Sequence, residues 1–295
     1  MTTSPRLLDA TSPRPPTARH ILRALAVLTV ILACTRPGAA QQAAQGRSDD
    51  EILLLFDGLR VADVVDGMDV VGLRGVGLVD PRIQPLWRDF DSFDHQLRGI
   101  ALTVRYVPHN RIVPNPLPEA EFRRWESQWY TAISPEPFVD QITPGKVVVI
   151  DASGNGDTGS VGSYNSLDWY ARGACGIVTT GSVRDTDEVI KQRIPVYLDP
   201  LQRGRGIRPG RNMVDSVNQP IELGGALVRP GDVIIADGDG VVVVPREHAE
   251  GVARAARRVL EQDKTSRRAL YQRLGRPLDA TVSETAPAPD RCRAR

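Results

Sequence analysis

Apolar residues in this chain fall in short runs punctuated by glycine and proline, with helix-length stretches between several of them. Residues 147–150 (VVVI) are wholly apolar and bounded by turn residues, the pattern of a strand buried on both faces. A glycine-rich turn follows, with Gly154, Gly156, Gly159 and Gly162. Residues 164–172 then read as helix and 176–180 as a second apolar strand. Strand, helix and strand at these lengths predict a βαβ unit. The chain turns at Gly181 and presents Arg184 and Asp185 just past the strand end. In open α/β sheets, ligands sit in the loops at the carboxyl ends of strands.

The flanking regions extend the pattern. Residues 50–59 and 60–67 carry helical spacing, 72–85 read as loop and short strand, and 99–106 (GIALTVRY) as a strand rich in β-branched residues. Residues 107–143 hold six prolines, at 108, 114, 116, 118, 135 and 137. Within them a helix is predicted over 118–130, since proline suits the first turn and Glu119 and Glu121 suit the positive end of the dipole. Trp125 and Trp129 then share one face, either as a small core of their own or as the cover of a pocket. So long a connection marks a lid, an interface arm or an insertion. Pro144-Gly145 and Pro230-Gly231 each feed a strand that ends in aspartate, Asp151 and Asp237. Asp237 and Asp239 fit tight-turn chemistry better than metal binding. Residues 246–274 read as helix, with Val252, Ala255, Ala256, Val259 and Leu260 in one stripe and Arg254, Arg257 and Arg258 toward water. Residues 265–268 are a candidate break, and Gly275-Arg276-Pro277 a stop before a polar tail, 276–295, read as disordered.

Composition adds bounds. The 295 residues are 41% hydrophobic and 25% charged with a formal net charge of +1, ordinary for a globular chain. That balance offers no attraction to nucleic acid or to an anionic membrane. Ahead of the fold, basic residues precede an apolar run, 24–34, and Gly38-Ala39-Ala40 supplies a small-residue cleavage site. The run is too short to span a bilayer comfortably. Residues 1–40 therefore read as a signal peptide for export, periplasmic or secreted, and 41–49 as a disordered linker. Ile31-Leu32-Ala33-Cys34 keeps open a lipoprotein processed at Cys34. Cys175 opens an apolar strand as a small hydrophobe, and Cys292 lies in the tail.

Several chemistries are disfavoured. Gly154-x-Gly156-x-x-Gly159 matches the dinucleotide fingerprint formally, yet Thr179-Thr180-Gly181 stands where the ribose-binding acid belongs. His95, His109 and His248 are scattered, without zinc-ligand spacing, and no Gly-x-Ser-x-Gly elbow occurs. A glycine loop opposite Arg184 and Asp185 suits a different task. Arginine grips a planar carboxylate with two parallel bonds. One aspartate can hold Mg²⁺, which keeps several of its waters. Asp187 and Glu188 lie close enough in sequence to orient such waters.

The run GSVGSYNSLDWYARGACGIVTTGSVRDTDEV resembles the core of the RraA-like family, and VRPGDVIIADGDGVVVVPREHAEGVARAA resembles its closing strand–turn–strand–helix. RVADVVDG followed by GIALTV is a weaker third anchor, so the likeness spans most of residues 53–256. The family holds ribonuclease E activity regulators and class II 4-hydroxy-4-methyl-2-oxoglutarate aldolases. The resemblance implies an α/β fold, a compact single-domain α/β/β sandwich of the swivelling-domain type over 50–275, assembled as homotrimers or hexamers. It implies that Arg184 binds the pyruvyl carboxylate of a small 2-oxo acid and stabilises the enolate. Asp185 would hold Mg²⁺ or Mn²⁺, and Gly162, Ser163 and Tyr164 would cradle the carboxylate with backbone amides. Glu188 matches an acid that follows the Arg-Asp pair. The implied activity is metal-dependent cleavage of a 2-oxo acid to pyruvate, aldolase or oxaloacetate decarboxylase, with a non-catalytic binding or regulatory protein as the alternative. One position departs: Ser163 stands where active aldolases carry an acid, and Asp157 and Asp168 are the nearest sequence substitutes.

Overall fold

The computed structural model describes residues 46–114, 116–202 and 204–283. The signal, Cys34 and Cys292 readings lie outside these residues. Helix α1 (Asp49–Leu55) starts earlier than its sequence suggests: Ser48 and Glu51 form a capping box, so the supposed linker already supplies the helix start. Helix α2 (Val61–Val70) follows, then β1 (Gln84–Pro85) and a long β2 (Leu97–Pro108). Residues 107–143 contribute α3 (Glu119–Gln128), which runs into a π-helical turn, Trp129–Ile133. Next come β3 (Lys146–Asp151), β4 (Gly159–Val161), α4 (Ser163–Ala171), β5 (Ala174–Thr179), β6 (Ser182–Val183) and α5 (Thr186–Lys191). The remaining strands are β7 (Val196–Leu198), β8 (Asn212–Val217), β9 (Ile221–Leu223), β10 (Ala226–Val228), β11 (Val233–Asp237) and β12 (Gly240–Val244). The chain then enters α6 (Ala249–Arg273), one unbroken helix through 265–268.

Eight strands make one mixed sheet in the order β1-β7-β5-β3-β2-β11-β12, with β8 also paired to β2. The middle, β7-β5-β3-β2, is parallel. Strand β2 is long enough to take β11 along residues 97–100 and β8 along 104–108, with a bulge at Arg105/Tyr106. The strands' period of two divides the core. Val148 and Ile150 of β3 pack with Trp169 of α4 and Val189 of α5. Val147 and Val149 pack on the other face, beneath the β9–β10 hairpin, where Cys175 is also buried. At the β11–β12 end, α1, α2 and α6 cover Ile100, Val233 and Ile235 through Phe56, Val64, Met68 and Val252. Helices, mixed sheet and small second sheet are thus the three layers of an α/β/β sandwich.

Two further expectations are revised. Arg257 does not face water; it is half-buried, and its guanidinium donates to the carbonyls of Leu55 and Asp57 at the carboxyl end of α1. The first residues of the polar tail fold back, since Val282 is buried and its carbonyl accepts from Arg268 at 2.7 Å. No helix among the described residues is long and apolar enough to cross a membrane.

Candidate active site

The predicted glycine turn is not one loop. Gly154 and Gly156 form a turn with positive φ, but Gly159 already belongs to β4, which pairs in parallel with β6. This two-stranded ribbon carries the site. The Arg184 N–H donates to the Val161 carbonyl at 2.9 Å, which fixes where the arginine leaves β6. Its aliphatic stem lies over Gly159, where a Cβ would stand 2.5 Å from Arg184 Cγ and Cδ. Asp185 adopts the left-handed conformation, φ 55° and ψ 39°, a strained region that aspartate tolerates better than most residues. That backbone aims its carboxylate away from α5 and onto the amino end of α4. There Ser163 N–H donates to Oδ2 at 3.2 Å and Ser163 Oγ at 3.4 Å, while Arg184 Nε donates to Oδ1 at 3.2 Å. Only a glycine at 162 permits this, because a Cβ would stand 2.7 Å from Oδ2.

Arg184 and Asp185 open onto a cleft of about 190 Å³, also lined by Gly162, Tyr164, Asn165, Ser160, Ile207, Arg208, Tyr130 and Glu126. Both side chains remain about one-third exposed, 34% and 33%. The expected residues therefore meet, with two corrections. Ser163 turns its N–H and hydroxyl to Asp185 instead of lining the cleft, so part of the expected amide cradle is taken by the protein's own carboxylate. Glu188 is exposed on α5 and is not part of the lining. The two sequence substitutes for the missing acid are engaged elsewhere, Asp157 with Arg205 and Asp168 with Arg172.

The far wall is built from Glu126 and Tyr130 of the 107–143 segment together with Ile207 and Arg208, none of them marked by the local sequence pattern. Trp129 is buried, donates from Nε1 to the Asn212 carbonyl at 3.2 Å and meets His109 edge-on. The tryptophan pair is thus a small core, while the residue after each tryptophan, Glu126 and Tyr130, lines the cleft. Asn212 also donates to Ser160 Oγ at 2.7 Å, which links the arm to β4. Arg208, buried at 2% exposure, lies between the rings of Tyr106 and Tyr130, 5.0 and 5.2 Å from their centroids. Its Nε pairs with Glu136 at 3.3 Å, and its Nη groups donate to Ser134. Burial pushes the Tyr130 phenol up from its ordinary range, with the Arg208 guanidinium pulling the other way.

A larger cavity, about 290 Å³, lies past the ends of β3, β5 and β7 among Asp80, Arg82, Asp199 and Glu222. Asp80 is closed by Arg82 at 2.7 Å, and Asp199 by the Leu201 N–H at 2.9 Å.

The family model for RraA-like proteins, Aldolase/RraA, matches residues 61–243. The chain belongs to the RraA-like family. A Halalkalibacterium halodurans protein provisionally named a 4-hydroxy-4-methyl-2-oxoglutarate aldolase is 31% identical over 131 residues, 44% of this chain and 60% of that protein. The matched part thus spans less than two thirds of that relative's length. A Burkholderia mallei protein with the same provisional name is 32% identical over 161 residues, 55% of this chain and 82% of the relative. Among solved structures, Streptomyces coelicolor RraAS2, described as an unusual member of the RNase ES inhibitor RraA family, superposes with a TM-score of 0.58. It covers 76% of this chain and 98% of its own at 23% identity, which establishes the shared fold. RraA-like proteins are often oligomeric.

Proposed function

We propose that this RraA-like chain is a divalent-metal-dependent lyase of the 4-hydroxy-4-methyl-2-oxoglutarate aldolase or oxaloacetate decarboxylase type, releasing pyruvate from a small 2-oxo acid. The observation that carries this reading is the Arg184–Asp185 pair, held 3.2 Å apart over the amino end of α4 at the edge of the cleft. Among the described residues, the Arg184 Nη groups have no hydrogen-bond partner, so the outer prongs of the guanidinium are available to a substrate carboxylate.

The donor set fits a hard cation with few protein ligands. No group of three or more histidines, cysteines or acids that would cage a metal occurs among the described residues. Mg²⁺ needs no such cage, and its usual complement is one or two carboxylates with water and substrate oxygens. Asp185 is the residue that would hold it; both carboxylate oxygens accept only long bonds of 3.2–3.4 Å and face an open cleft. A bound cation would supply Lewis acidity toward the 2-oxo group. Arg184 binds the adjacent carboxylate and opposes the negative charge that develops as the pyruvate enolate leaves. The positive end of the α4 dipole acts in the same sense. Tyr130 and Tyr164 wall the cleft.

The test is pyruvate release from oxaloacetate and from 4-hydroxy-4-methyl-2-oxoglutarate, with Mg²⁺, with chelator, and with Asp185→Ala. Metal-dependent release that disappears in the variant supports the lyase. Absence of release above the metal-only blank, from folded protein, overturns it. The second reading, a non-catalytic binding or regulatory protein, is favoured by Ser163 in place of an acid, and it then takes precedence. Exposed Tyr164 (80%) and Leu167 (46%) on α4 favour assembly of trimers or hexamers next to the cleft, which light scattering would test. Export, from the leader pattern of 1–40, belongs to the same reading; amino-terminal sequencing of the processed protein tests it.

A further inference from the structure

The lyase chemistry above demands a proton movement that none of the residues assigned so far performs. A retro-aldol step removes the proton of the 4-hydroxyl and later adds one to carbon 3 of the pyruvate enolate. Asp185 is the residue assigned to the metal, and it also accepts from Arg184 and from the amino end of α4. Ser163 supplies only a hydroxyl, already turned to Asp185. Tyr130 is held in its protonated form by burial and is a poor base.

Among the described residues, the cleft lining contains one other carboxylate, Glu126. Its position follows from the packing of the arm. Trp125 and Trp129, four residues apart, form the anchored face of the segment: Trp129 bonds the Asn212 carbonyl, and Trp125 Cη2 crowds the space above Gly210. Glu126 and Tyr130, also four apart, form the neighbouring face, and that face is the cleft wall. Glu126, Tyr130, Arg184 and Arg208 all line this one cleft. The Glu126 side chain is only 20% exposed. Its Oε2 is held by Arg123 at 3.0 Å, and its Oε1 has no partner among the described residues. One oxygen is steadied and the other is available.

We propose that Glu126, delivered by the 107–143 arm, is the proton-transfer residue of the cleft; the inference rests on the lyase reading. The Glu126 carboxylate takes the 4-hydroxyl proton as the bond between carbons 3 and 4 breaks. The electron pair of that bond moves toward the 2-oxo oxygen, giving the pyruvate enolate and a second carbonyl product. The same proton then returns from Glu126 to carbon 3, so no proton is gained or lost overall. The reverse half, removal of a methyl proton from pyruvate, uses the same group.

That half-reaction isolates the role. The protein with Mg²⁺ is incubated with pyruvate in heavy water, and loss of the methyl signal is followed by proton NMR, with oxalate inhibition as the readout of binding. Wild type exchanges the methyl protons. Glu126→Gln slows exchange about a hundredfold while the oxalate inhibition constant stays within roughly threefold, and Glu126→Asp recovers part of the rate. Exchange at the wild-type rate in Glu126→Gln overturns the proposal and leaves the lyase reading intact. So does loss of exchange matched by equal loss of oxalate binding, since Glu126 would then act in binding. A wild type that binds oxalate without exchanging protons overturns the proposal, while pyruvate release tests the lyase separately. A wild type with neither property removes both.

Discussion

Two aspartates at strand ends do nearly the same thing in this molecule and have different consequences. Asp237, at the end of β11, accepts the Val61 N–H at the start of α2 at 2.9 Å and the Asp239 N–H at 2.8 Å. Asp185, just past β6, accepts the Ser163 N–H at the start of α4 at 3.2 Å. Each carboxylate caps a helix distant in sequence. Asp237 is buried at 6% exposure, its two bonds are short, and burial pushes its carboxyl above the ordinary range despite both N–H donors. Asp185 has long bonds, an arginine beside it, a left-handed backbone and a cleft in front. A fully satisfied carboxylate in a closed place holds the fold together. A loosely satisfied one, aimed by strained backbone into an open place, has capacity left for a ligand.

The largest expected effect separates the two by activity. Asp185→Asn, which keeps a side-chain oxygen for the Ser163 N–H and tolerates the left-handed backbone, should lower metal-dependent pyruvate release about a thousandfold with little change in melting temperature, the loss expected when a preorganised charge is removed from a reacting centre. Asp237→Ala should leave turnover per folded molecule unchanged. Next, Gly162→Ala sharpens the geometric side of the comparison. Its Cβ must displace Asp185 Oδ2, and a displacement of about 1 Å should cut kcat/KM roughly tenfold to a hundredfold. Gly159→Ala should act similarly through the stem of Arg184.

A third prediction concerns stability. Asp237→Ala leaves the Val61 and Asp239 N–H groups unsatisfied and should cost about 1–3 kcal/mol in chemical denaturation. The pH dependence has a definite sign. A carboxyl raised in the folded state contributes stability that is fully present below its unfolded pKa, about 3.9, and is lost as pH rises through the folded value. Wild type should therefore lose stability relative to Asp237→Asn between pH 4 and neutrality. Asp49 gives the smallest effect and the opposite sign. Partial burial raises its carboxyl, but Lys146 and Arg246, each at 2.7 Å, outweigh this and hold it below its ordinary value. Its contribution is present above about pH 4 and lost as pH falls through the lowered value. Because the pair is partly exposed, Asp49→Asn should change the acid limb by no more than about 1 kcal/mol.

The contrast between the two aspartates was partly legible beforehand. Asp237-Gly238-Asp239 carries tight-turn chemistry in its residue types, and Arg184-Asp185 stands out by its place after a strand and a glycine turn. That Asp237 also caps α2, 176 residues away in sequence, was not legible, because no local pattern encodes it. The same holds for the far wall. Arg208 looks like one more arginine in a basic stretch, and only the folded chain gives it a fixed place, against the rings of Tyr106 and Tyr130 and bonded to Glu136 and Ser134. Glu126 resembles any surface glutamate of an amphipathic helix. Its role depends on which face of α3 the tryptophans anchor. Glu188 shows the converse: it is near Asp185 in sequence, yet α5 turns it to solvent and it does not line the cleft of this chain.

What the sequence by itself determined is whatever rests on local periodicity and on turn chemistry. The βαβ order, the buried strands at β3, β5, β11 and β12, and the family pattern follow from apolar runs and glycine positions, since burial and φ/ψ preference act within a few residues. The tertiary structure alone decided which of the thirty-six acids and thirty-seven basic residues share a cleft. It seated Arg184 on Gly159 and Asp185 over Gly162, and it brought Glu126 from a segment more than fifty residues earlier to face them. Side chains that meet across β-strand crossovers and a packed arm are selected by the sum of the contacts around them, and no single stretch of the chain contains that sum.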